Sequence, residues 1–227
     1  MASLQLYSYF RSSTAYRVRI ALHYKAIDFE YLPVHLLNNG GEQHSPQYRA
    51  LNATGGVPTL VHNGRALGQS RAILEYLEAL VPQPALIPKD PFQKALMSQI
   101  CDNINCEMHP LGNLRVTQYL EKQFSQDESA RQNWILHWHR LGWSATEKLL
   151  QTTAGQFAVG DSLTLADLFL VPQAFTSERF GLTLDQWPIC HRIITTCRAL
   201  EAFQLAHPFS QIDTPKDLRQ PRADSTK

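Results

Sequence analysis

The chain has 227 residues, of which 44% are apolar, enough for one large domain or two modest ones with a proper core. A formal charge of +1 supplies no field that would hold nucleic acid or an anionic membrane surface, so neither is expected as a partner. No stretch approaches the ~18 consecutive apolar residues of a spanning helix, and Cys101, Cys106, Cys190 and Cys197 form neither a CxxC pair nor a disulfide-rich spacing, which points to a reduced cytoplasmic setting.

In chain order, Leu4 and Leu6 alternate with polar neighbours as in a strand, and Ala15, Val18, Ala21 and Leu22 then recur at helical spacing. Ser12, Ser13 and Thr14 fall at the N-cap and first turn of that helix. Free backbone N–H groups, the positive end of the helix dipole and hydroxyl donors converge there, so the turn reads as an anion site built on a helix cap. Residues 29–34 are aromatic and branched, as a second strand requires, and the polar, glycine-bearing residues 38–47 read as a loop. Asn63-Gly64, inside residues 59–67, supplies the two positive-φ positions of a tight hairpin. Ser70 precedes Ile73, Leu74, Leu77 and Leu80, an apolar stripe that starts a helix at Ser70. The order is βαβ followed by ββα.

Pro82, Pro84, Pro88 and Pro91 break this pattern and set a boundary, giving a first domain over residues 1–82 and a second over 92–227. Periodic segments at 92–108, 112–124, 128–152, 164–180 and 187–203 make the second domain all-helical. The tail after Pro208 is polar, buries little and is expected to be mobile at its end. Thr164 and Asp167 match a capping box, a folding device whose loss costs roughly 0.5 to 2 kcal/mol. Cys101 and Cys106 read as core cysteines. His137 and His139 stand about 200° apart around a helix and do not converge on one metal; no metal site is expected.

The run Arg11-Ser12-Ser13-Thr14-Ala15-Tyr16-Arg17-Val18-Arg19-Ile20-Ala21-Leu22 resembles the signature of zeta-class glutathione transferases, the family of maleylacetoacetate isomerase, in which Ser-Ser-Cys precedes an Arg-Val-Arg-Ile-Ala-Leu helix. Val57-Pro58-Thr59-Leu60 resembles that family's cis-proline turn, Gln69-Ser70 its γ-glutamyl clamp, and residues 160–167 its interior capping motif. The matches run in register over residues 4–215. The resemblance implies an α/β plus all-α fold: a thioredoxin-like domain with a mixed sheet binds glutathione, and an all-helical domain carries the substrate site. It also implies a homodimer.

For glutathione, the resemblance implies contacts from Ser12, Gln43, Val57, Pro58, Gln69 and Ser70. Val57 would pair with the extended tripeptide as an added strand, Ser70 and Gln69 would hold the γ-glutamyl end, and Gln43 the glycyl end. His35 and Glu42 are neighbours that read equally well as solvated loop residues, and Arg17 and Arg19 read as structural or surface charges. A thiol of pKa ~8.5 is only about 3% ionised at pH 7, and lowering it by two units takes ~2.7 kcal/mol. One hydroxyl donor to a charged acceptor supplies ~1.5 to 3 kcal/mol and a helix N-terminus roughly 0.3 to 1, so the serine turn suffices without a histidine base.

The implied reaction is a glutathione-dependent cis-trans isomerisation by thiolate addition, bond rotation and elimination, converting maleylacetoacetate to fumarylacetoacetate in tyrosine and phenylalanine breakdown. Ser12 is the expected thiolate stabiliser and Ser13 the second candidate. Arg11, Arg179 and Arg115 match arginines that would clamp a small dicarboxylate substrate. Thr14 stands where the family signature has cysteine, which also fits the related maleylpyruvate isomerase of gentisate breakdown. A broad transferase acting on small electrophilic acids and a non-enzymatic glutathione-binding module are the remaining alternatives.

Overall fold

The structure is a computed structural model and describes residues 4–219. The chain forms two compact units, one running to Ala85 and resuming at Ala199, the other spanning Leu86–Arg198.

In the first unit, β1 (Leu4–Ser8) lies in a four-stranded sheet of order β2-β1-β3-β4. It pairs parallel with β2 (Phe29–Pro33) and antiparallel with β3 (Thr59–His62), which turns into β4 (Arg65–Gly68). Asn63 and Gly64 make that turn with φ of 53° and 73°, the left-handed pair a two-residue hairpin demands. Leu4, Leu6 and Ser8 point inward at the strand's period of two. The helix α1 (Ser13–Tyr24) is buried over the whole run from Ala15 to Leu22 and packs against α3 (Ser70–Leu80), whose inward stripe is Ser70, Ile73, Leu74 and Leu77. Side chains such as Leu6, Ile20, Leu22, Leu60 and Ile73 are essentially inaccessible to water, and each such burial contributes about 1.5–3 kcal/mol.

Two features differ from the sequence expectation. Residues 38–47 are not plain loop: two 3-10 turns, Asn38–Gly40 and Glu42–His44, lead into α2 (Pro46–Leu51), started by a Ser45 cap and Pro46 at its first position. The segment after residue 198 joins the first unit rather than the helical one. Its helix α9 (Glu201–Leu205) packs on α1. Gln211 and Thr214 are buried, and Asp213 accepts from the Phe10 N–H at 2.9 Å and from the Tyr31 hydroxyl at 2.7 Å. The tail therefore carries anchoring contacts instead of burying little; the mobility expected at its end concerns residues beyond 219, which lie outside the described residues.

Arg17 and Arg19 are both fully buried, which rules out surface charges. Arg19 donates from Nε to Ala206 O (3.0 Å), from Nη1 to Ser8 Oγ (3.1 Å) and Tyr9 O (3.4 Å), and from Nη2 to Phe10 O (3.1 Å). Burial lowers its pKa from the ordinary value, while Tyr31, Tyr16 and Asp213 act in the opposite sense.

The second unit is helical. It contains α4 (Pro91–Asp102), continued by a π-helical turn at Asn103–Met108, then α5 (Leu114–Phe124), α6 (Glu128–Thr153), α7 (Leu165–Arg179) and α8 (Pro188–Arg198). α7 is buried on nearly every side and starts at the expected box, in which Asp167 Oδ2 accepts from the Thr164 N–H at 2.8 Å. Complete burial pushes the Asp167 carboxyl up to about 6, against the bonds it accepts from Thr164 and Ala158. Gly142 in α6 lets the helix close on the π-helical turn: a Cβ there would stand 2.0 Å from Met108 Cγ. Cys101 is buried as expected, but Cys106, on the outer face of that turn, is exposed. Among the described residues no helix is long and apolar enough to cross a membrane.

His139 is 1% exposed, with Ser177 Oγ 3.0 Å from Nδ1 and Gln173 Nε2 3.1 Å from Nε2. Burial lowers its pKa to about 4. The unfolded chain thus takes up this proton first, near pH 6.5, so the contribution is complete above that pH and declines toward pH 4. At pH 5 the loss amounts to about 2 kcal/mol. Asp167, with its raised folded value, titrates in the opposite sense over part of the same range, so the test compares urea denaturation of the protein and of His139→Gln at pH 7.5 and pH 5. The His139 contribution is the excess loss in the unsubstituted protein, and equal losses in both would contradict it.

Candidate glutathione site on the first unit

β1 ends at Ser8 and three residues carry the chain round to Ser12, which caps α1 with φ −71° and ψ 119°. Ser12 Oγ accepts from the Ala15 N–H at 3.2 Å, and its backbone N–H donates to Tyr9 O at 3.0 Å. The first turn of α1 holds no acidic residue, so nothing within it offsets the positive helix end. Arg19 holds the Tyr9 and Phe10 carbonyls from the interior while Asp213 holds the Phe10 N–H, so the approach to the turn is gripped on both its donor and acceptor sides.

Thr14 has a role that its place in the sequence did not reveal. Its hydroxyl donates to Val57 O at 2.8 Å and lies 2.9 Å from Ser12 Oγ. A threonine hydroxyl has one proton. With that proton on Val57, the Ser12 hydroxyl is the donor in the Ser12–Thr14 bond. The serine turn and the Val57-Pro58 loop are thereby joined in one hydrogen-bond chain.

The Val57–Pro58 peptide is cis. Its loop is braced by two residues of the α2 region. Tyr48 Oη donates to Gly56 O at 2.6 Å, Asn52 Nδ2 donates to Gly56 O at 2.9 Å, and Asn52 Nδ2 also donates to Thr59 Oγ1 at 2.9 Å. Val57 is half-buried and Pro58 buried. Burial raises the Tyr48 phenol, which keeps it protonated as a donor.

Ser70 is the first residue of α3 and is buried, whereas the N-cap is Gln69, exposed and held at φ 67° without a side-chain capping bond. A glutamine at positive φ carries backbone strain, which tends to persist where a site uses the geometry. Ser70 Oγ accepts from Arg17 Nη1 at 3.2 Å. Gln43 is turned inward at 6% exposure, with Nε2 donating to Leu36 O at 3.2 Å and Oε1 buried without a partner. Its free group is therefore an acceptor, suited to a peptide N–H rather than to a carboxylate. His35 is a loop brace: its N–H donates to Glu42 Oε2 at 2.6 Å and its Nδ1 accepts from the Leu37 and Asn38 N–H groups.

Arg11 is half-buried, 5.2 Å from the Phe10 ring centroid, and its Nε is buried with no hydrogen-bond partner among the described residues. Arg115 and Arg179 belong to the helical unit. Arg115 is exposed in the first turn of α5, and Arg179 is exposed at the end of α7, its guanidinium 5.6 Å from the Phe180 ring centroid.

Thus Ser12, Thr14 and Val57 form one bonded chain, Ser70 is tied to the same helix α1 through Arg17, and Gln43 is anchored separately in its own loop. Sequence reasoning missed the bracing by Tyr48 and Asn52 and left Arg17 and Arg19 open between structural and surface charges. Charged residues on an apolar helix face leave no periodic mark that separates a buried donor from a surface one.

Comparison with known proteins gives a consistent answer. Residues 6–85 match the family model of the glutathione S-transferase N-terminal domain. Maleylacetoacetate isomerase from Pseudomonas aeruginosa is 45% identical over 213 residues, covering 93% of this chain and 99% of the relative. Among solved structures, a holo maleylpyruvate isomerase, described as a bacterial zeta-class glutathione S-transferase, superposes with a TM-score of 0.90 at 38% identity, covering 93% of this chain and 100% of its own. Maleylacetoacetate isomerase from Methylobacterium extorquens, solved with malonate and glutathione bound, gives 0.87 at 33% identity, covering 93% of this chain and 99% of its own. With nearly the whole chain matched at these identities and the serine turn, cis-proline loop and α3 N-terminus all in place, the protein belongs to the zeta-class glutathione transferase family.

Proposed function

We propose that this protein is a glutathione-dependent cis-trans isomerase that converts maleylacetoacetate to fumarylacetoacetate. The observation that supports the reading is the chain Ser12–Thr14–Val57 at the uncompensated N-terminus of α1, in which the Ser12 hydroxyl is a donor that can turn from Thr14 to a thiolate. The residues fit glutathione: Val57 offers main-chain pairing beside Pro58, Ser70 and Gln69 stand at a helix N-terminus for the γ-glutamyl carboxylate, and the orphaned Gln43 Oε1 offers an acceptor for the glycyl N–H.

When bound, glutathione supplies a thiolate that adds to the conjugated cis double bond, leaves a single bond free to rotate, and is expelled unchanged. Ser12 transfers its hydroxyl bond from Thr14 to the sulfur, because a charged acceptor outcompetes a neutral one. Ser13 and the first backbone N–H groups of α1 add donors. Arg11, with its unpartnered Nε, binds a substrate carboxylate, and Arg179 and Arg115 are the further candidates for the dianion.

The same reading makes the enzyme a cytoplasmic homodimer of tyrosine and phenylalanine breakdown. The maleylpyruvate isomerase reading rests on that enzyme's close structural likeness. One assay serves both: purified protein is mixed with maleylacetoacetate or maleylpyruvate, with and without glutathione, and ultraviolet absorbance is followed. Glutathione-dependent turnover of maleylacetoacetate is expected, with slower turnover of maleylpyruvate. The reverse preference would move the assignment, and no glutathione-dependent isomerisation of either compound would overturn it.

A further inference from the structure

Arg17 lies one helical turn beyond Thr14 and is inaccessible to solvent, yet it takes no direct part in the chemistry proposed above. Its Nη1 reaches Ser70 Oγ at 3.2 Å, across the contact between α1 and the start of α3. A guanidinium is a donor only. In this bond the serine oxygen must therefore accept, and the serine proton stays free to donate to something else. The direction matters, because a serine at a helix start can spend its hydroxyl on its own helix. Here a fixed buried cation imposes the donor state on Ser70 and stands directly behind it.

We propose that Arg17 is a positioning residue for the γ-glutamyl carboxylate of glutathione, acting through Ser70. It holds the Ser70 oxygen in place, turns the hydroxyl proton outward, and adds a buried positive charge behind the helix N-terminus that faces the carboxylate. A buried charge is screened much less than a surface one, so its effect persists at physiological salt. Gln69 contributes by its conformation: at φ 67° it turns the chain into α3 without placing a capping side chain over the first N–H groups. This inference rests on the glutathione reading and specifies which end of the peptide Arg17 controls.

The test is a comparison of two ligands by calorimetry: glutathione, and glutathione amidated at its glutamyl α-carboxylate. In the unsubstituted protein amidation should weaken binding by about thirtyfold. In Arg17→Met the affinity for glutathione should fall while that for the amide changes little, so the ratio shrinks to about threefold. Arg17→Lys, which keeps a buried cation but not the planar fork, should give an intermediate ratio, and it serves should the methionine variant not fold. Because the effect passes through Ser70, Arg17→Met should alter the ratio far less in a Ser70→Ala background. An unchanged ratio in both Arg17 variants, with both ligands weakened equally, would make Arg17 a packing residue and overturn the proposal. An equal effect with and without Ser70 would overturn the route through the hydroxyl. Failure of the unsubstituted protein to bind glutathione would bring down the glutathione reading and this inference together, a result distinct from either of the others.

Discussion

Replacing Ser12 by alanine is expected to lower the turnover of glutathione-dependent isomerisation at least about tenfold, with a smaller change in glutathione affinity. The size follows from the bond removed: a hydroxyl donating to a charged acceptor contributes about 1.5–3 kcal/mol, which corresponds to roughly 10- to 150-fold in rate if the bond serves the thiolate. On the proposed reading the affinity of the peptide rests more on Val57, Gln69 and Ser70, which the substitution leaves in place. Titration of the bound thiolate by its ultraviolet absorbance gives the mechanistic readout, and the apparent thiol pKa should rise by about one to two units. Ser12 also caps α1, so the melting temperature is measured alongside; a lost cap costs only about 0.5–2 kcal/mol. An unchanged rate and an unchanged thiol titration would transfer the role to Ser13, the buried first residue of the helix.

The second large effect is on stability. Arg19→Met should lower the melting temperature by about 6–20 °C, from a loss of about 3–5 kcal/mol at about 2–4 °C per kcal/mol for a chain of this size. Methionine fills much of the volume, but it removes the guanidinium bonds to the carbonyls of Tyr9, Phe10 and Ala206, in a place that water does not reach. The same loss releases the acceptor side of the approach to the serine turn, while Asp213 still holds the Phe10 N–H, so residual folded enzyme should also bind glutathione less tightly. Thermal melting followed by circular dichroism checks the first part, and a fall of under about 2 °C would show that the arginine is replaceable by packing alone.

The contrast between these two residues explains how much of the molecule could be read from the chain. Ser12 was legible because its chemistry is local: a hydroxyl at a helix start, preceded by a strand and followed by apolar positions at helical spacing, marks the cap and first turn. The same holds for the Asn63-Gly64 hairpin and the Thr164–Asp167 capping box. Arg19 was not legible, because its four acceptors come from β1, the following turn and a segment nearly two hundred residues away. The break at Leu200 was hidden for a related reason: residues 187–203 keep one apolar period, although α8 ends at Arg198 and α9 begins at Glu201 in the other unit.

Within the candidate site the division is equally clear. By itself the sequence determined the serine turn and the α3 start, since each depends on backbone rules that operate over a few residues, while the cis-proline loop came through the resemblance to the family. Only the tertiary structure decided which hydroxyl donates to which acceptor. Thr14 changed from a substituted family cysteine into the bond between Ser12 and Val57, and Arg17 from a structural or surface charge into the donor to Ser70. Those roles depend on one proton per hydroxyl, on a guanidinium that can only donate, and on distances of about 3 Å that exist once α1, the Val57 loop and α3 have packed together.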